Sequence, residues 1–196
     1  MDSKRTFDVI VGGAMLAAAS PVMVVAAVAV AAESRGGIFF RQERIGLHGE
    51  PFRIRKFRTM RPSAGGALVT VAGDDRITRV GRVLRASKLD ELPQLIDVVE
   101  GRMSLVGPRP EVAKYVDQWP EDLRDVILSV RPGITDPMSV ELRNESELLA
   151  AQSDPEGFYV SELLPRKAQG YADYVRTRTL LGDIKIIMRT IRAVAS

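Results

Sequence analysis

The chain has 196 residues, with 28 Lys and Arg against 25 Asp and Glu, a formal net charge of +3 and 45% hydrophobic residues. That length suits one domain with an appendage and a sizeable buried core, which excludes a disordered protein. With no cysteine and His48 as the single histidine, disulfide frameworks, thiolate metal sites, the usual zinc sites and two-histidine relays are excluded too.

From Val9 to Ala32 there is no charged residue. At about 1.5 Å per helical residue this run reaches across a hydrocarbon core of roughly 30 Å. Lys4 and Arg5 in front of it and its Ala-rich end resemble a signal peptide, but the run is long for the apolar part of one. Ser20-Pro21 falls in its middle. The proline frees a carbonyl and bends a helix, and the Ser20 hydroxyl can satisfy part of what is lost. A straight spanning helix and a re-entrant hairpin broken at Ser20-Pro21 both fit, and positive charge on both flanks is the pattern of a same-side, cytoplasmic topology. The chain therefore divides into a membrane segment, 1-35, and a remainder, 36-196. Arg41, Arg44, Arg53, Arg55, Lys56, Arg58 and Arg61 follow directly, a cluster suited to anionic lipid headgroups at roughly 1 kcal/mol per charge. No nucleic-acid-binding motif surrounds it, so nucleic acid is not an expected partner.

Residues 36–40 and 52–57 read as two short strands, the second alternating apolar and basic, joined by a Gly46-Leu47-His48-Gly49 turn that leaves His48 a solvated loop residue. Ser63 to Asp75 reads as a loop in which Asp74-Asp75 forms a solvated turn, and Arg76 to Arg85 as a helix. A helical pattern over Pro110 to Leu128 is broken at Trp119-Pro120, with Trp119 a core or interfacial anchor. Arg131 to Thr135 reads as a turn leading into a polar stretch with Glu141, Arg143 and Asn144. The last segment sets Leu181, Ile184, Ile187, Met188, Ile191 and Val194 on one helical face and Lys185, Arg189 and Arg192 on the other, suited to a membrane surface or to packing on the core.

The most informative stretch is 85–110. Pro93 is tolerated only in the first turn of a helix, so the helix carrying Leu92, Leu95, Ile96 and Val99 is predicted to begin near Leu89 or Asp90, which puts Asp90 and Glu91 at its N-terminus. Capping alone explains two acids there. It does not explain Arg85 before the pair, nor Arg109 held between Pro108 and Pro110, whose guanidinium projects from a fixed backbone and suits bidentate phosphate recognition.

These residues resemble the bacterial monotopic phosphoglycosyl transferases. The resemblance covers nearly the whole chain: the apolar run with Ser20-Pro21, Lys56-Phe57-Arg58-Thr59-Met60, Arg76-Ile77-Thr78-Arg79-Val80-Gly81, Leu89 to Leu95, Val106-Gly107-Pro108-Arg109-Pro110 and Arg131-Pro132-Gly133-Ile134-Thr135. It implies a re-entrant hairpin in the cytoplasmic leaflet of the bacterial inner membrane. It further implies transfer of a phosphosugar from a UDP-sugar to polyprenol (undecaprenyl) phosphate with release of UMP, in a first membrane step of glycoconjugate synthesis. By the same resemblance Asp90 is the nucleophile that forms a covalent phosphosugar intermediate, Glu91 binds metal or orients the attack, and Mg2+ is held by Asp90 and Glu91. Lys56, Arg85, Arg109 and Arg143 then contact the phosphates of donor and acceptor. An aspartate attacking phosphorus needs such cations to neutralise the phosphate oxygens. The expected fold is α+β, mainly helical with a small β-hairpin, seated on the membrane by the hairpin helix and interfacial amphipathic helices. A second copy or downstream glycosyltransferases are the further partners considered. Two departures from the family pattern stand out: the segment Asp136 to Leu142, and Lys88, where many members carry a small hydroxyl residue. The alternatives are a membrane-anchored protein that binds lipid surfaces, and a magnesium-dependent phosphohydrolase acting on lipid-linked diphosphates.

Overall fold

The computed structural model describes residues 3–33, 36–61 and 73–195. Most of the loop expected from Ser63, and the boundary expected at residue 35, lie outside the described residues. Helix α1 spans Ser3–Glu33. Its helical conformation continues through Pro21, so the expected break does not interrupt the helix. The carbonyl that Pro21 deprives of a donor is that of Ala17, and it accepts from Ser20 Oγ at 2.8 Å. The serine supplies locally what the proline removes.

Strands β1 (Phe39–Ile45) and β2 (Pro51–Phe57) form an antiparallel hairpin around a 3-10 turn at Leu47–Gly49. Side chains alternate along a strand, so Ile54 and Lys56 share a face, Ile54 going into the core and Lys56 toward the site described below. Helix α2 (Arg79–Ala86) begins at Thr78, whose hydroxyl accepts from Gly81 N at 2.9 Å. A 3-10 turn at Leu89–Glu91 leads into α3 (Gln94–Val99), with Pro93 at its N-cap. The helix predicted from Leu89 thus forms in two steps: a tight turn that carries the acids, then the α-helix.

Strand β3 (Ser104–Val106), helices α4 (Ala113–Val116) and α5 (Glu121–Leu128), and strand β4 (Gly133–Thr135) follow. β3 and β4 pair in parallel, so Gly133-Ile134-Thr135 is strand rather than turn. A Cβ on Gly133 would lie 2.1 Å from Gly107 N, so the two backbones cross where neither tolerates a side chain. Asp136 caps α6 (Pro137–Glu141), which makes the divergent segment a short capped helix. Helices α7 (Glu145–Ala150), α8 (Pro155–Phe158), a π-helical turn at Tyr159–Leu163, α9 (Leu164–Thr177) and α10 (Leu180–Ala195) complete the chain.

The main core joins α4, α5 and α6 to α9 through Tyr115, Trp119, Ile127, Met138, Leu164 and Tyr171. Trp119 is a core residue, its ring edge-on to Tyr171. Two smaller clusters lie along α1. Phe7, Val11 and Leu16 meet Ile54, Leu95, Val98 and Leu105, while Ala26 and Val30 meet Phe57 and Leu84. Both ends of α1 therefore rest on the same body. Arg5 donates to Val98 O and Val99 O at the end of α3 (2.6 and 2.9 Å), and the Glu33 carboxylate accepts from Arg79 N and Val80 N at the start of α2, both at 2.8 Å. Each charge faces the helix end whose dipole it complements. The outer face of α1 leaves Ile10, Val22, Val24, Val25 and Val28 exposed. On α10, Asp183, Ile186, Ile187 and Thr190 turn inward, and Leu181, Ile184, Met188 and Ile191 form an exposed apolar stripe. Val194, expected on that face, lies outside the described side chains.

Candidate active site

Lys88 ends α2 in the left-handed conformation, with φ 56° and ψ 14°. That region costs a side-chain-bearing residue on the order of 1 kcal/mol or more, and it reverses the chain sharply enough to set Asp90 and Glu91 between α2 and α3. Asp90 is buried, 8% exposed, and its Oδ1 is enclosed without a hydrogen-bond partner. A buried acceptor with nothing to accept from suits a cation or an electrophile more than a structural role. Burial, and then the charge of Glu91, push the Asp90 carboxyl above the usual aspartate range, while Lys56, Arg85 and Lys88 oppose them.

Glu91 is the opposite case. Its Oε1 accepts from Lys56 Nζ at 2.7 Å and from Arg109 Nη2 at 2.6 Å. Burial alone would raise this carboxyl, but the charges of Arg109 and Lys56 outweigh it and hold Glu91 well below the usual range. Burial lowers the Lys56 ammonium, while the Glu91 charge raises the Arg109 guanidinium. Two adjacent acids are thus pushed in opposite directions, Asp90 toward its neutral form and Glu91 toward its charged form. Such divergence marks functional carboxylate pairs.

Each member is placed by long-range structure. Arg55 N donates to Asp97 Oδ2 at 3.1 Å, and Arg55 Nη1 to Asp97 Oδ1 at 2.6 Å, which pins β2 to α3 one residue before Lys56. Arg109 leaves the end of β3 just beyond the Gly107–Gly133 crossing, with Pro108 O accepting from Gly133 N at 2.9 Å. Arg85 lies near Asp90 with its Nη1 3.5 Å from Met60 Sδ. The structure therefore brings Lys56, Asp90, Glu91 and Arg109 together with Arg85 beside them. Arg143 is exposed in the turn after α6, and among the described residues the ion pairs of Glu91 are with Lys56 and Arg109 and not with it. The basic cluster after the apolar run is also partly internal: Arg44 pairs with Glu111, Arg55 with Asp97, and Lys56 with Glu91. The remaining lipid-facing candidates include the exposed Arg41, Arg53 and Arg61.

Asp74 is engaged by Arg76 through backbone and guanidinium, which accounts for that acid without a metal. Among the described residues no group of three or more metal-ligating side chains converges. Magnesium commonly rests on one or two carboxylates with substrate phosphates and water completing its shell, so Asp90 and Glu91 fit it as a donor set.

No motif in the sequence singles out Glu111, Tyr159 or Lys167, which are buried polar residues grouped around one another beside Arg44. For Lys167 a signal existed. It falls on the same face of α9 as Leu164, Ala168, Tyr171 and Ala172, a lysine inside a buried stripe.

Residues 2–196 match the family described as bacterial sugar transferase. A UDP-glucose:undecaprenyl-phosphate glucose-1-phosphate transferase of Caulobacter vibrioides is 40% identical over 96% of this chain and 68% of its own length. An Escherichia coli protein of the same description is 35% identical over 96% of this chain, which spans only 39% of that protein. A UDP-N-acetylgalactosamine-undecaprenyl-phosphate N-acetylgalactosaminephosphotransferase of Aeromonas hydrophila is 41% identical over 67% of this chain and 32% of its own. With the acid pair, the Lys56 and Arg109 clamp and the order of motifs all in agreement with a match of this extent, the chain belongs to the bacterial sugar transferases, a family of phosphoglycosyl transferases.

Proposed function

We propose that the chain moves a phosphosugar from a UDP-sugar to polyprenol phosphate, with Mg2+, at the cytoplasmic face of the bacterial inner membrane. The observation that carries this reading is the buried Asp90 carboxylate, unpartnered at Oδ1, beside a Glu91 already neutralised by Lys56 and Arg109. Asp90 attacks the sugar-linked phosphorus. The new bond is Asp90 O–P, the bond broken is P–O to the bridging oxygen, and UMP leaves with that electron pair. A phosphate oxygen of the polyprenol phosphate then attacks the same phosphorus, frees the Asp90 carboxylate and leaves a polyprenyl diphosphosugar. The bound metal would supply charge neutralisation at the phosphate oxygens. Lys56, Arg85 and Arg109 hold phosphate, and Glu91 keeps Lys56 and Arg109 pointed at one place. Arg143, exposed in the turn after α6, is assigned to the phosphates on the family resemblance.

The membrane placement draws on the outer face of α1 and the exposed stripe of α10. Both ends of α1 lie on one body, which favours a re-entrant segment over a spanning one. The test is UMP release by detergent- or nanodisc-held protein from a panel of UDP-sugars, with and without magnesium and undecaprenyl phosphate. Release that requires all three together with Asp90 is the expected result. Sugar phosphate freed without an acceptor would instead make the protein a phosphohydrolase, and no release with any donor would remove the transferase reading.

A further inference from the structure

Arg109 stands between two prolines, neither of which has an N–H, so backbone hydrogen bonds at 108 and 110 can be made only through their carbonyls. Pro108 O is taken by Gly133 N, and Pro110 O accepts from Arg44 Nη1 at 3.1 Å. The same Arg44 nitrogen lies 3.3 Å from Glu111 Oε2, and Ile45 N donates to Glu111 O at 2.9 Å. Glu111 is in turn gripped from behind. Its Oε1 accepts from Tyr159 OH at 2.8 Å and lies 3.7 Å from Lys167 Nζ, which also lies 3.2 Å from Glu145. Glu111, Tyr159 and Lys167 are 5%, 4% and 4% exposed. The π-helical turn beginning at Tyr159 aims that ring into the cluster, an irregularity often found at functional positions.

Enclosing two cations and a carboxylate carries a desolvation penalty for each ion, and an apolar filling of the same volume would ordinarily stabilise the fold at least as well. What charge provides and apolar filling does not is a directed hold on one backbone segment. We propose that Glu111, with Arg44, Tyr159 and Lys167 around it, is a positioning residue for the transfer reaction: it fixes the Pro108-Arg109-Pro110 backbone and thereby the guanidinium of Arg109 against Glu91. None of the four touches Asp90 or Glu91 directly, and the cluster acts through Arg109. The inference rests on the reading of Asp90 and Glu91 as the catalytic pair.

A double-mutant cycle on full-length, detergent-held protein tests it, with UMP release as one readout and backbone amide exchange over 104–111 as another. Glu111→Gln is expected to lower kcat by ten- to a hundredfold, the scale of a small misplacement of a catalytic group. KM for the UDP-sugar and the circular dichroism spectrum should change little, and the amide of Gly107, which donates to Thr135 O at 3.1 Å next to the held segment, should exchange faster. In an Arg109→Lys background the same change should cost nothing further, because the residue it positions is gone. Tyr159→Phe removes one hydroxyl from the cluster and should act in the same direction, more weakly, if Glu111→Gln fails to fold. Full additivity of Glu111→Gln with Arg109→Lys, or unchanged exchange over 104–111, overturns the proposal. An inactive wild-type protein would count against the transferase reading alone, and the exchange measurement would still decide whether Glu111 holds this segment.

Discussion

Glu91 gathers the charges of the site, because one of its oxygens serves both Lys56 and Arg109. Its folded-state acidity is strengthened, so the stability it contributes is fully present above the unfolded carboxylate value of about 4.3 and is lost as pH falls through the lower folded value. Glu91→Gln in metal-free protein should therefore lower the unfolding free energy at pH 7 and flatten its decline below about pH 4.5. The loss should stay below the 3–5 kcal/mol typical of a fully buried pair, roughly, since the Arg109 side chain is 33% exposed. Urea titrations from pH 3 to 7 measure this, and a wild-type decline that persists in the variant would assign it elsewhere. Asp90 predicts the reverse. Burial disfavours its charge, so Asp90→Asn should abolish turnover while keeping or raising the melting temperature, and either residual turnover or a marked loss of stability would contradict the role given to it. Asp90, Glu91 and Arg109 were legible in the sequence because prolines mark them locally, whereas Lys56 reads locally as one of a lipid-facing basic cluster and joins the site only through the family resemblance. Glu111, Tyr159 and Lys167 were not legible, since their meaning arises only when α9 and the π-helical turn fold back behind the Pro-Arg-Pro segment.

At the scale of elements, the acids ride on a turn whose two flanking helices are held by one long helix. Glu33 caps the start of α2 and Arg5 the end of α3, so α1 sets the span across which Asp90 and Glu91 are suspended. Arg5→Met removes the hold at α3 without touching any site residue. It should cost about 1–2 kcal/mol in stability, and it should lower kcat more than it raises KM; an unchanged kcat in a destabilised protein would confine Arg5 to the fold. The β3–β4 pair is the other such device. Gly133→Ala would force a Cβ to within 2.1 Å of Gly107 N, and the displaced strand carries Arg109 with it, so a loss of about 1–3 kcal/mol together with most of the activity is the outcome to look for by calorimetry and turnover. The second strand, its turn, α2, α5 and α10 were readable from alternation, turn residues and helical pattern, whereas β1 covers Phe39–Ile45 rather than the expected 36–40, because its later residues carry polar side chains on both faces. β3 and β4 escaped because strands of three residues are too short to show a period, and their parallel pairing joins residues nearly thirty positions apart.

For the molecule as a whole, α1 and α10 carry the longest runs of exposed apolar side chains among the described residues, beside others such as Phe40, Val83 and Leu148 elsewhere. Stripes of this kind on two long helices mark a surface that meets lipid or another protein. The buried inner faces of α1 and α10 are joined by Lys4, whose Nζ lies 2.9 Å from Asp8 and 2.7 Å from Asp183, so the two candidate membrane elements form one unit with the catalytic body. A helix tied at both ends to that body cannot leave one end on the far side of a bilayer without breaking either the Arg5 or the Glu33 contacts. The absence of cysteine makes this measurable, because any single introduced thiol is the only one present. Ser3→Cys, at the start of α1, and Glu43→Cys, after its end, should both react with a membrane-impermeant maleimide in inverted inner-membrane vesicles, and neither should react in intact spheroplasts. Reaction of one in each preparation would mean that α1 spans the membrane, and would require the contacts at one of its ends to be absent in the bilayer.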